Sequence, residues 1–402
     1  MNYTPVSYSL TRDIDKKTKK KEGIYFTPPA TIWENLLFLK PYMNNVKHVL
    51  EPSCGSCEFI NAIHSEYPNL DIRGIEYNKT IFDTISPYSN SKIKIENGDF
   101  IQYEFSQKFD LIIGNPPYYV MKKNNTPISY QNYFSGRPNI FILFIIKSIH
   151  LLKDNGILSF VLPVGFLNCL YYDRTRQFIN KTCTILNIME CSESYIDTNQ
   201  KTIILILQKN TTELQSNKRF TLEIHNYNIF GIPQNISRIF NLYNHSSSLH
   251  ELGFRVKVGN VVWNQCKDIL TDDPSQTRLI YSSDIHNNNF EPKKYRNIQK
   301  KNFIRKKGKK GPILVMNRGY GVGKYKFEYS IITEEFEYLI ENHLICIIYT
   351  HQISEEELTE KYKIITKSLE SPKTKEFIEL YFGNSAINTT ELEYILPIFE
   401  QV

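Results

Sequence analysis

The chain has 402 residues, 48 Lys and Arg against 42 Asp and Glu, a net charge of +6, and 41% hydrophobic residues. At about 100–200 residues per domain, this length predicts two domains, and the composition excludes a largely disordered chain. The charge is uneven, because residues 254–330 carry 17 basic and 6 acidic side chains, whereas residues 331–402 carry 5 and 14. This asymmetry indicates a surface that binds a polyanion, although clustered solvated side chains would also produce it.

Signals for secretion, membrane insertion and metal binding are weak. The first 21 residues are polar and lysine-rich, and the longest apolar run, residues 140–152, is interrupted by Lys147 and His150. Seven cysteines favour free thiols in a reducing compartment. Cys54 and Cys57 have the spacing of a redox dithiol, but no second pair would complete a zinc site. We therefore expect a cytoplasmic protein that neither binds a metal nor crosses a membrane.

Short apolar runs alternate with helical patterns in the first half of the chain. Strands are predicted at residues 46–50, 71–76, 91–96, 109–113, 157–162, 184–189 and 202–208, and helices at residues 57–65, 78–86 and 140–152. This alternation is typical of βαβ units, so we expect an α/β fold with a mainly parallel, seven-stranded sheet. Ligands bind such sheets beyond the carboxyl ends of the strands, which makes the loops after the strands the candidate site.

The loops after the first three strands indicate a nucleoside site. The loop at residues 51–57 is rich in small residues and leads into a helix, where the backbone can approach a ligand. Glu76 ends the second strand, 21 residues after Gly55, where a carboxylate can accept hydrogen bonds from both ribose hydroxyls. Asp99 and Phe100 add an acceptor and an aromatic face for adenine. A solvated glutamate and a turn aspartate beside a core phenylalanine are the structural alternatives.

The loop after the fourth strand carries the candidate chemistry. Asn115-Pro116-Pro117-Tyr118 is rigid, because both prolines fix φ and lack an N–H. Such a loop can hold the Asn115 side-chain oxygen and a backbone carbonyl as two acceptors for one exocyclic amine, and so stabilise the positive charge that grows on the nitrogen during nucleophilic attack. The Tyr118 ring can stack on the base. A rigid loop without chemistry is the structural alternative.

Over residues 22–210 these consecutive motifs resemble the N6-adenine DNA methyltransferases of the γ-type motif order, found in type II restriction–modification systems. The resemblance implies a Rossmann-like, S-adenosylmethionine-binding catalytic domain at residues 1–211 and an α+β target-recognition domain at residues 212–402. It implies methyl transfer from S-adenosylmethionine to an adenine flipped out of double-stranded DNA. A separately encoded restriction endonuclease is an implied partner, and we expect a monomer.

The resemblance assigns roles to individual residues. Asn115 to Tyr118 match the catalytic tetrapeptide, and Tyr195, seven residues before Thr202, matches an aromatic residue that stacks on the extruded adenine. Catalytic roles are therefore implied for Asn115, Pro116, Pro117, Tyr118 and Tyr195. Cofactor contacts are implied for Tyr25, Thr27, Pro28, Glu51, Pro52, Ser53, Cys54, Gly55, Glu76, Tyr77, Asp99, Phe100, Asn115, Pro117 and Phe144, with Phe141 as the alternative to Phe144.

Two positions depart from the family pattern. Glu51 replaces the more usual aspartate, which is a mild change. Cys57 replaces the second glycine of the cofactor loop, so its Cβ and sulfur would crowd the cofactor or require a shifted backbone. On this reading the spacing of Cys54 and Cys57 is a by-product of the substitution and not a redox motif.

The second half of the chain fits no nucleotide-binding pattern. Strands are predicted at residues 252–264 and 279–284, and a strand entering a glycine-rich turn at residues 312–323. Residues 293–310 hold ten Lys and Arg side chains, which can neutralise phosphates, and residues 334–341 and 355–379 have the acidic spacing of helices. The candidate base-reading residues are Trp263, Asn264, Asn317 and Arg318.

Other classes of enzyme or protein fit these motifs less well, among them cytosine-N4 methyltransferases, which usually have serine at the position of Asn115, and a fused nuclease, for which little length remains. No Pro-Cys dipeptide is present, which argues against a cytosine-5 methyltransferase. The main alternative is an Asn-Pro-Pro-Tyr methyltransferase that acts on RNA adenine or on a protein glutamine amide. A non-catalytic specificity subunit that binds DNA is the alternative from another class, and the intact tetrapeptide at residues 115–118 argues against it.

Overall fold

The computed structural model describes residues 3–400 except 123, 125, 194, 210–213, 319–326 and 382–386. The chain forms two compact units, residues 1–236 (unit 1) and residues 237–402 (unit 2). The expected domain boundary after residue 211 falls outside the described residues. The division between the units lies later, within helix α8, Pro233–Tyr243.

Unit 1 is built on one seven-stranded sheet with the order β3-β2-β1-β4-β5-β7-β6. All neighbouring strands are parallel except β7, which is antiparallel to β5 and β6. The predicted mainly parallel, Rossmann-like sheet is therefore confirmed. The strands are β1 His48–Glu51, β2 Asp71–Glu76, β3 Ile93–Asn97, β4 Phe109–Gly114, β5 Leu152–Pro163, β6 Cys183–Glu190 and β7 Thr202–Lys209.

Helices cover both faces of this sheet. The prediction of helices at residues 57–65, 78–86 and 140–152 is confirmed, although α6 ends at Leu151 because β5 begins at Leu152. A hairpin, β8 Thr221–Ile224 and β9 Tyr227–Phe230, follows the sheet. The helices of unit 1 before α8 are α1 Pro5–Asp13, α2 Lys16–Glu22, α3 Pro29–Leu39, α4 Glu58–Glu66, α5 Lys79–Ile85, α6 Ile140–Leu151 and α7 Asp173–Thr182.

The core of unit 1 lies on both sides of the sheet. Ile112 of β4 packs into one hydrophobic cluster, whereas Leu111 and Ile113 pack into the cluster on the opposite face. All three side chains are fully buried, so β4 reads as a continuous apolar run and not as an alternating one. Burial on both faces fixes the position of Gly114, from which the candidate catalytic loop begins.

Unit 2 contains two four-stranded sheets, with the orders β10-β19-β16-β17 and β11-β15-β12-β18. Helices α9 Glu355–Leu369 and α10 Pro372–Tyr381 follow the strands, which gives the predicted α+β composition. The strands are β10 Phe254–Val258, β11 Leu270–Thr271, β12 Thr277–Ile280, β13 Ile285–His286, β14 Asn289–Phe290, β15 Phe303–Ile304, β16 Ile313–Asn317, β17 Tyr329–Ile332, β18 Tyr338–Ile340 and β19 Leu344–Tyr349.

Two expectations for unit 2 are wrong. Residues 334–341 have helical charge spacing, but Tyr338–Ile340 forms strand β18, which pairs in parallel with β12 and is buried at all three positions. Long-range pairing and burial of these side chains override the local spacing. The strand predicted at residues 252–264 ends at Val258, and Trp263 begins a 3₁₀ turn. The helices predicted at residues 355–379 are confirmed as α9 and α10.

The glycine-rich turn predicted after Asn317 lies mostly at residues 319–323, outside the described residues. Within the described chain, the longest and most apolar helices are too short or too polar to cross a bilayer.

Candidate active site

A cavity of about 230 Å³ opens at the carboxyl ends of the strands of unit 1. Its wall is formed by the loops that follow four neighbouring strands, represented by Gly55, Glu76, Asp99 and Asn115. The structure therefore brings together loops that the sequence places up to 60 residues apart. The predicted site residues that line the cavity are Tyr25, Pro52, Ser53, Gly55, Glu76, Tyr77, Asp99, Phe100, Asn115, Pro117 and Phe144.

The other predicted residues lie behind or beside this wall. Thr27, Pro28, Glu51 and Cys54 are buried and do not line the cavity. Phe141 is fully buried in the core, 6.0 Å from the Tyr118 ring centroid in an edge-on contact, so Phe144 is the phenylalanine that reaches the cavity. Pro116, Tyr118 and Tyr195 adjoin the cavity wall without being part of it.

Glu76 organises the floor of the cavity. One carboxylate oxygen accepts a hydrogen bond from the Gly55 backbone N–H at 2.9 Å, and the other accepts one from the Asn78 N–H at 2.7 Å. Burial raises the pKa of Glu76 to about 7, and the negative charge of Glu22 adds to the rise. Each carboxylate oxygen retains a lone pair, so Glu76 can still accept hydrogen bonds from two hydroxyl groups.

Another part of the cavity wall is aromatic and acidic and is formed by Asp99, Phe100 and Phe144. The Phe100 ring packs against Phe144 with the ring centroids 4.8 Å apart, and both side chains reach the cavity. Asp99 accepts a hydrogen bond from the Ile101 N–H at 2.9 Å, which fixes the carboxylate at the cavity edge. This wall offers a flat apolar surface beside a hydrogen-bond acceptor, the pair of features that an adenine ring with its amino group requires.

Glu51 is a buried carboxylate with an unmet hydrogen-bonding capacity. It is 3% exposed, and among the described residues no donor reaches its Oε2. Burial raises its pKa well above the ordinary value. A buried acceptor without a partner is costly, and a bound ligand that offers an N–H or a positive charge would remove that cost.

Asn115 is held by three tyrosines. Its Nδ2 donates to the Tyr25 carbonyl oxygen at 3.2 Å and lies 3.4 Å from the Tyr195 hydroxyl. Because the Tyr25 carbonyl can only accept, Oδ1 must point the other way, where the Tyr118 hydroxyl lies 2.6 Å from it. The same hydroxyl lies 2.8 Å from the Val161 carbonyl oxygen. The Tyr118 hydroxyl carries one hydrogen for these two acceptors, so it donates to one of them at a time while its oxygen occupies the space beside Asn115 Oδ1.

The candidate catalytic loop, residues 115–118, packs against Gly23. Gly23 has a φ of +69°, and a Cβ at this position would lie 2.6 Å from the Tyr118 backbone nitrogen. No side chain fits there without moving the loop. This contact explains why a glycine stands between α2 and the stretch that contains Tyr25.

Cys57 adopts a backbone conformation that glycine adopts more readily than other residues. Its φ is 64° and its ψ is 25°, in the left-handed region, and its side chain is fully buried. A residue with a Cβ pays about 1–2 kcal/mol for this conformation. The backbone thus keeps the geometry that a glycine would give, and the Cys57 side chain does not line the cavity.

Helices α1 and α2, which precede Gly23, are the part of the site that sequence reasoning missed. Glu22 lines the cavity, Lys19 forms a 2.7 Å ion pair with Asp197, and the Ser7 hydroxyl donates to the Ser56 hydroxyl of the cofactor loop at 2.7 Å. The signals were present in the chain: Thr4 and Asp15 cap α1 and α2, and Gly23 ends α2. Reading these capping residues would have predicted both helices.

In unit 2, the candidate base-reading residues lie on segments that meet. Arg318 donates to the Asn342 carbonyl oxygen at 3.3 Å, and the Asn342 N–H donates to the Val261 carbonyl oxygen at 2.9 Å. Asn317 ends β16 and Trp263 follows Val261 by two residues. Hydrogen bonds through Asn342 therefore link Arg318 to the segment that leads to Trp263 and Asn264, and Asn264 is exposed.

The basic run at residues 293–310 is only partly a solvated surface. The Lys300 Nζ lies 4.1 Å and 3.9 Å from the ring centroids of Tyr281 and Tyr295, and burial lowers the pKa of Lys300. Lys301 pairs with Asp272 at 2.6 Å. The exposed cations of the run's second half are Arg305, Lys306, Lys307, Lys309 and Lys310.

Comparison with known proteins bears on these sites. Residues 30–196 match the family of the Eco57I restriction-modification methylase. The type II methyltransferase M.CvrRI of Paramecium bursaria Chlorella virus XZ-6E is 27% identical, over 98% of this chain and 98% of its own length. The modification methylase CviBIII of Paramecium bursaria Chlorella virus NC1A is 28% identical, over 99% of each chain.

The resemblance to type II restriction–modification methyltransferases is confirmed. The similarity to the viral methylases extends through unit 2 as well as unit 1. The methylase family match, together with the Rossmann-like sheet, supports S-adenosylmethionine as the cofactor. The type II M.AccI of Acinetobacter calcoaceticus, 29% identical, shares only 54% of this chain and 44% of its own length.

Proposed function

We propose that the chain transfers a methyl group from S-adenosylmethionine to the N6 amine of an adenine extruded from duplex DNA. The observation that carries this proposal is the position of Asn115 and Pro117 in the wall of the cavity that Glu76 and Asp99 also line. A loop able to hold an exocyclic amine therefore opens onto a cavity whose other walls carry residues suited to a nucleoside. No other arrangement of acids, bases or nucleophiles is needed for this transfer.

The residues of the cavity fit S-adenosylmethionine. Glu76 would accept hydrogen bonds from the ribose hydroxyls, while Asp99 and Phe100 would hold the adenine. Glu51 is buried and does not line the cavity, but its Oε2 has no donor among the described residues and would be an acceptor for the ammonium group if that group reaches it. The small residues around Gly55 lead into the N-terminus of α4, whose backbone N–H groups would suit the carboxylate of S-adenosylmethionine. When bound, the cofactor supplies a methyl group activated by the positive sulfur.

The target amine would take the place of the Tyr118 hydroxyl beside Asn115 Oδ1. The Tyr118 hydroxyl lies 2.6 Å from Asn115 Oδ1, at the acceptor that one hydrogen of the amine would use. We infer that the Tyr118 side chain moves when the base enters, and that its ring then stacks on adenine, with Tyr195 nearby. Extrusion of the base costs a few kcal/mol, which stacking and the amine hydrogen bonds offset.

We assign DNA binding to residues 212–402, with the exposed cations of the basic run on the phosphates and the four candidate base-reading residues on base edges. The basic run favours a nucleic acid over a protein substrate. We further propose that the chain acts as a cytoplasmic monomer beside a separately encoded restriction endonuclease.

The test is transfer of tritiated methyl groups from S-adenosylmethionine to duplex DNA, RNA and protein offered in parallel. We expect label in duplex DNA alone. Label confined to RNA adenine or to protein glutamine would overturn the proposal and establish the alternative substrate instead.

A further inference from the structure

We propose that Glu22 is a further cofactor-recognition residue, whose negative charge makes the cavity select S-adenosylmethionine over its product, S-adenosylhomocysteine. The two ligands differ in charge, because the sulfonium gives the substrate a net charge of +1 and the thioether product is neutral. The inference rests on the proposed function, since it assumes that S-adenosylmethionine fills the cavity of unit 1. Glu22 precedes the residues to which the motifs assign cofactor contacts.

The position of Glu22 is fixed on both sides. It is the last residue of α2, and the next residue, Gly23, ends the helix in the left-handed conformation against the catalytic loop. Glu22 Oε2 accepts a hydrogen bond from Asn78 Nδ2 at 2.9 Å, and the Asn78 N–H donates to Glu76 Oε1 at 2.7 Å. Asn78 thus holds two carboxylates beside one cavity.

The cavity is anionic as a whole. Among its described lining residues, three carry carboxylates, Glu22, Glu76 and Asp99, and none is a lysine, arginine or histidine. The nearby cation Lys147 is turned away, since it donates to the carbonyl oxygens of Ile101 and Tyr103 at 3.0 and 2.6 Å and does not line the cavity. The charge of Glu22 also reaches Glu76, because it contributes to the raised pKa of that carboxylate.

The negative electrostatic potential of these carboxylates would distinguish S-adenosylmethionine from S-adenosylhomocysteine by charge, without a direct contact to the sulfur. One carboxylate charge several ångströms from a partly hydrated site changes the affinity for a unit cation by about three- to tenfold and leaves a neutral ligand unaffected. A cavity of this kind favours entry of the methyl donor and loses affinity as soon as the methyl group has been transferred, which promotes product release.

Glu22→Gln isolates the charge, because the glutamine oxygen can still accept the hydrogen bond from Asn78. Glu66→Gln is the matched control, since Glu66 is an exposed carboxylate at the end of α4 outside the cavity and its loss changes the net charge of the chain equally. Dissociation constants of S-adenosylmethionine, S-adenosylhomocysteine and adenosine should be measured by calorimetry at about pH 8.5, where Glu76 is ionised in each variant.

We expect Glu22→Gln to weaken the binding of S-adenosylmethionine by about three- to tenfold and to change the affinities for S-adenosylhomocysteine and adenosine by less than about twofold. Glu66→Gln should bind all three ligands as the wild type does. Equal weakening of all three ligands would overturn the inference, because it would show that Glu22 only positions Glu76 through Asn78. An unchanged preference would overturn it too. Failure of the wild-type chain to bind S-adenosylmethionine would instead overturn the proposed function.

Discussion

The two units of the molecule place their functional residues in different ways. In unit 1, each loop of the candidate site follows a strand of one sheet, and the sheet order brings the loops to the same edge. In unit 2, the described strands are two to six residues long, and β18 and β19 of the acidic residues 331–402 pair with β12, β10 and β16 of the basic residues 254–330. Local sequence therefore predicts the site of unit 1, whereas the surface of unit 2 depends on long-range pairing.

The largest effect is expected from Asn115→Ala, which should abolish methyl transfer in unit 1 while leaving DNA binding, assigned to unit 2, intact. Loss of the amine acceptor should lower methyl transfer by at least about 10²–10³-fold, because it stabilises charge that develops only during transfer. Binding of S-adenosylmethionine and of DNA should stay near the wild-type level. These quantities can be followed by labelled methyl transfer, calorimetry and gel shift. Full activity of the variant would contradict the role of Asn115.

The second-largest effect is expected from Gly23→Ala. The new Cβ would lie 2.6 Å from the Tyr118 nitrogen, so the catalytic loop must move, and a displacement of about 1 Å can cost about 10²-fold in rate. Gly136→Ala is the matched control, because Gly136 has a φ of 70° but faces Tyr171 and not the catalytic loop. Steady-state methylation rates of the two folded variants test this expectation, and Gly23→Ala should be much slower than Gly136→Ala. Equal rates would show that the contact at Gly23 has no catalytic consequence.

Cofactor affinity should depend on pH through Glu76. Its pKa of about 7 in the free protein means that it is mostly protonated below that pH, and a protonated carboxyl cannot accept from both ribose hydroxyls. Binding favours the ionised form, so affinity should rise by up to about tenfold per pH unit as the pH approaches 7 and level off above it. Titrations in two buffers of different ionisation enthalpy should also detect proton release. A flat profile between about pH 6 and 8 would exclude this linkage.

Substitutions in the basic run of unit 2 should weaken DNA binding, which Asn115→Ala should leave near the wild-type level. Replacing the exposed Lys306 and Lys307 by alanine should weaken DNA binding by about tenfold at low salt and reduce the slope against salt concentration by up to about two, with cofactor binding unchanged. Lys375→Ala, an exposed lysine of α10, is the control. An unaltered salt dependence of the double variant would remove the basic run from the DNA surface.

The smallest effect is expected at Cys57. Alanine normally stabilises a helix-associated position relative to glycine, but at a φ of 64° the order should reverse, with Cys57→Gly more stable than Cys57→Ala by about 1 kcal/mol. Ala62→Gly in the adjacent helix α4 should show the ordinary order and lose about 1 kcal/mol. Urea denaturation of the variants measures both differences. A more stable alanine variant at residue 57 would show that the left-handed conformation is not strained.

The sequence predicted the sheet of unit 1 well, because runs such as residues 109–113 are buried on both faces and carry their own signal. It also predicted several residues that line the cavity, such as Gly55, Asp99 and Asn115, since each follows a strand. It missed Glu22, because the lysines before it suggest only a solvated polar segment. It misjudged residues 334–341, since pairing of Tyr338–Ile340 with β12 is a contact between residues about 60 positions apart that no local pattern encodes.

The central claim is that Asn115 and its loop direct methylation to the amine of adenine in duplex DNA. The most direct measurement is mass spectrometry of nucleosides from duplex DNA treated with S-adenosylmethionine and either the wild-type chain or Asn115→Ala. We predict N6-methyladenine as the modified nucleoside with the wild type and background levels with the variant. A methylated cytosine, unmodified DNA, or equal N6-methyladenine from both proteins would contradict the account.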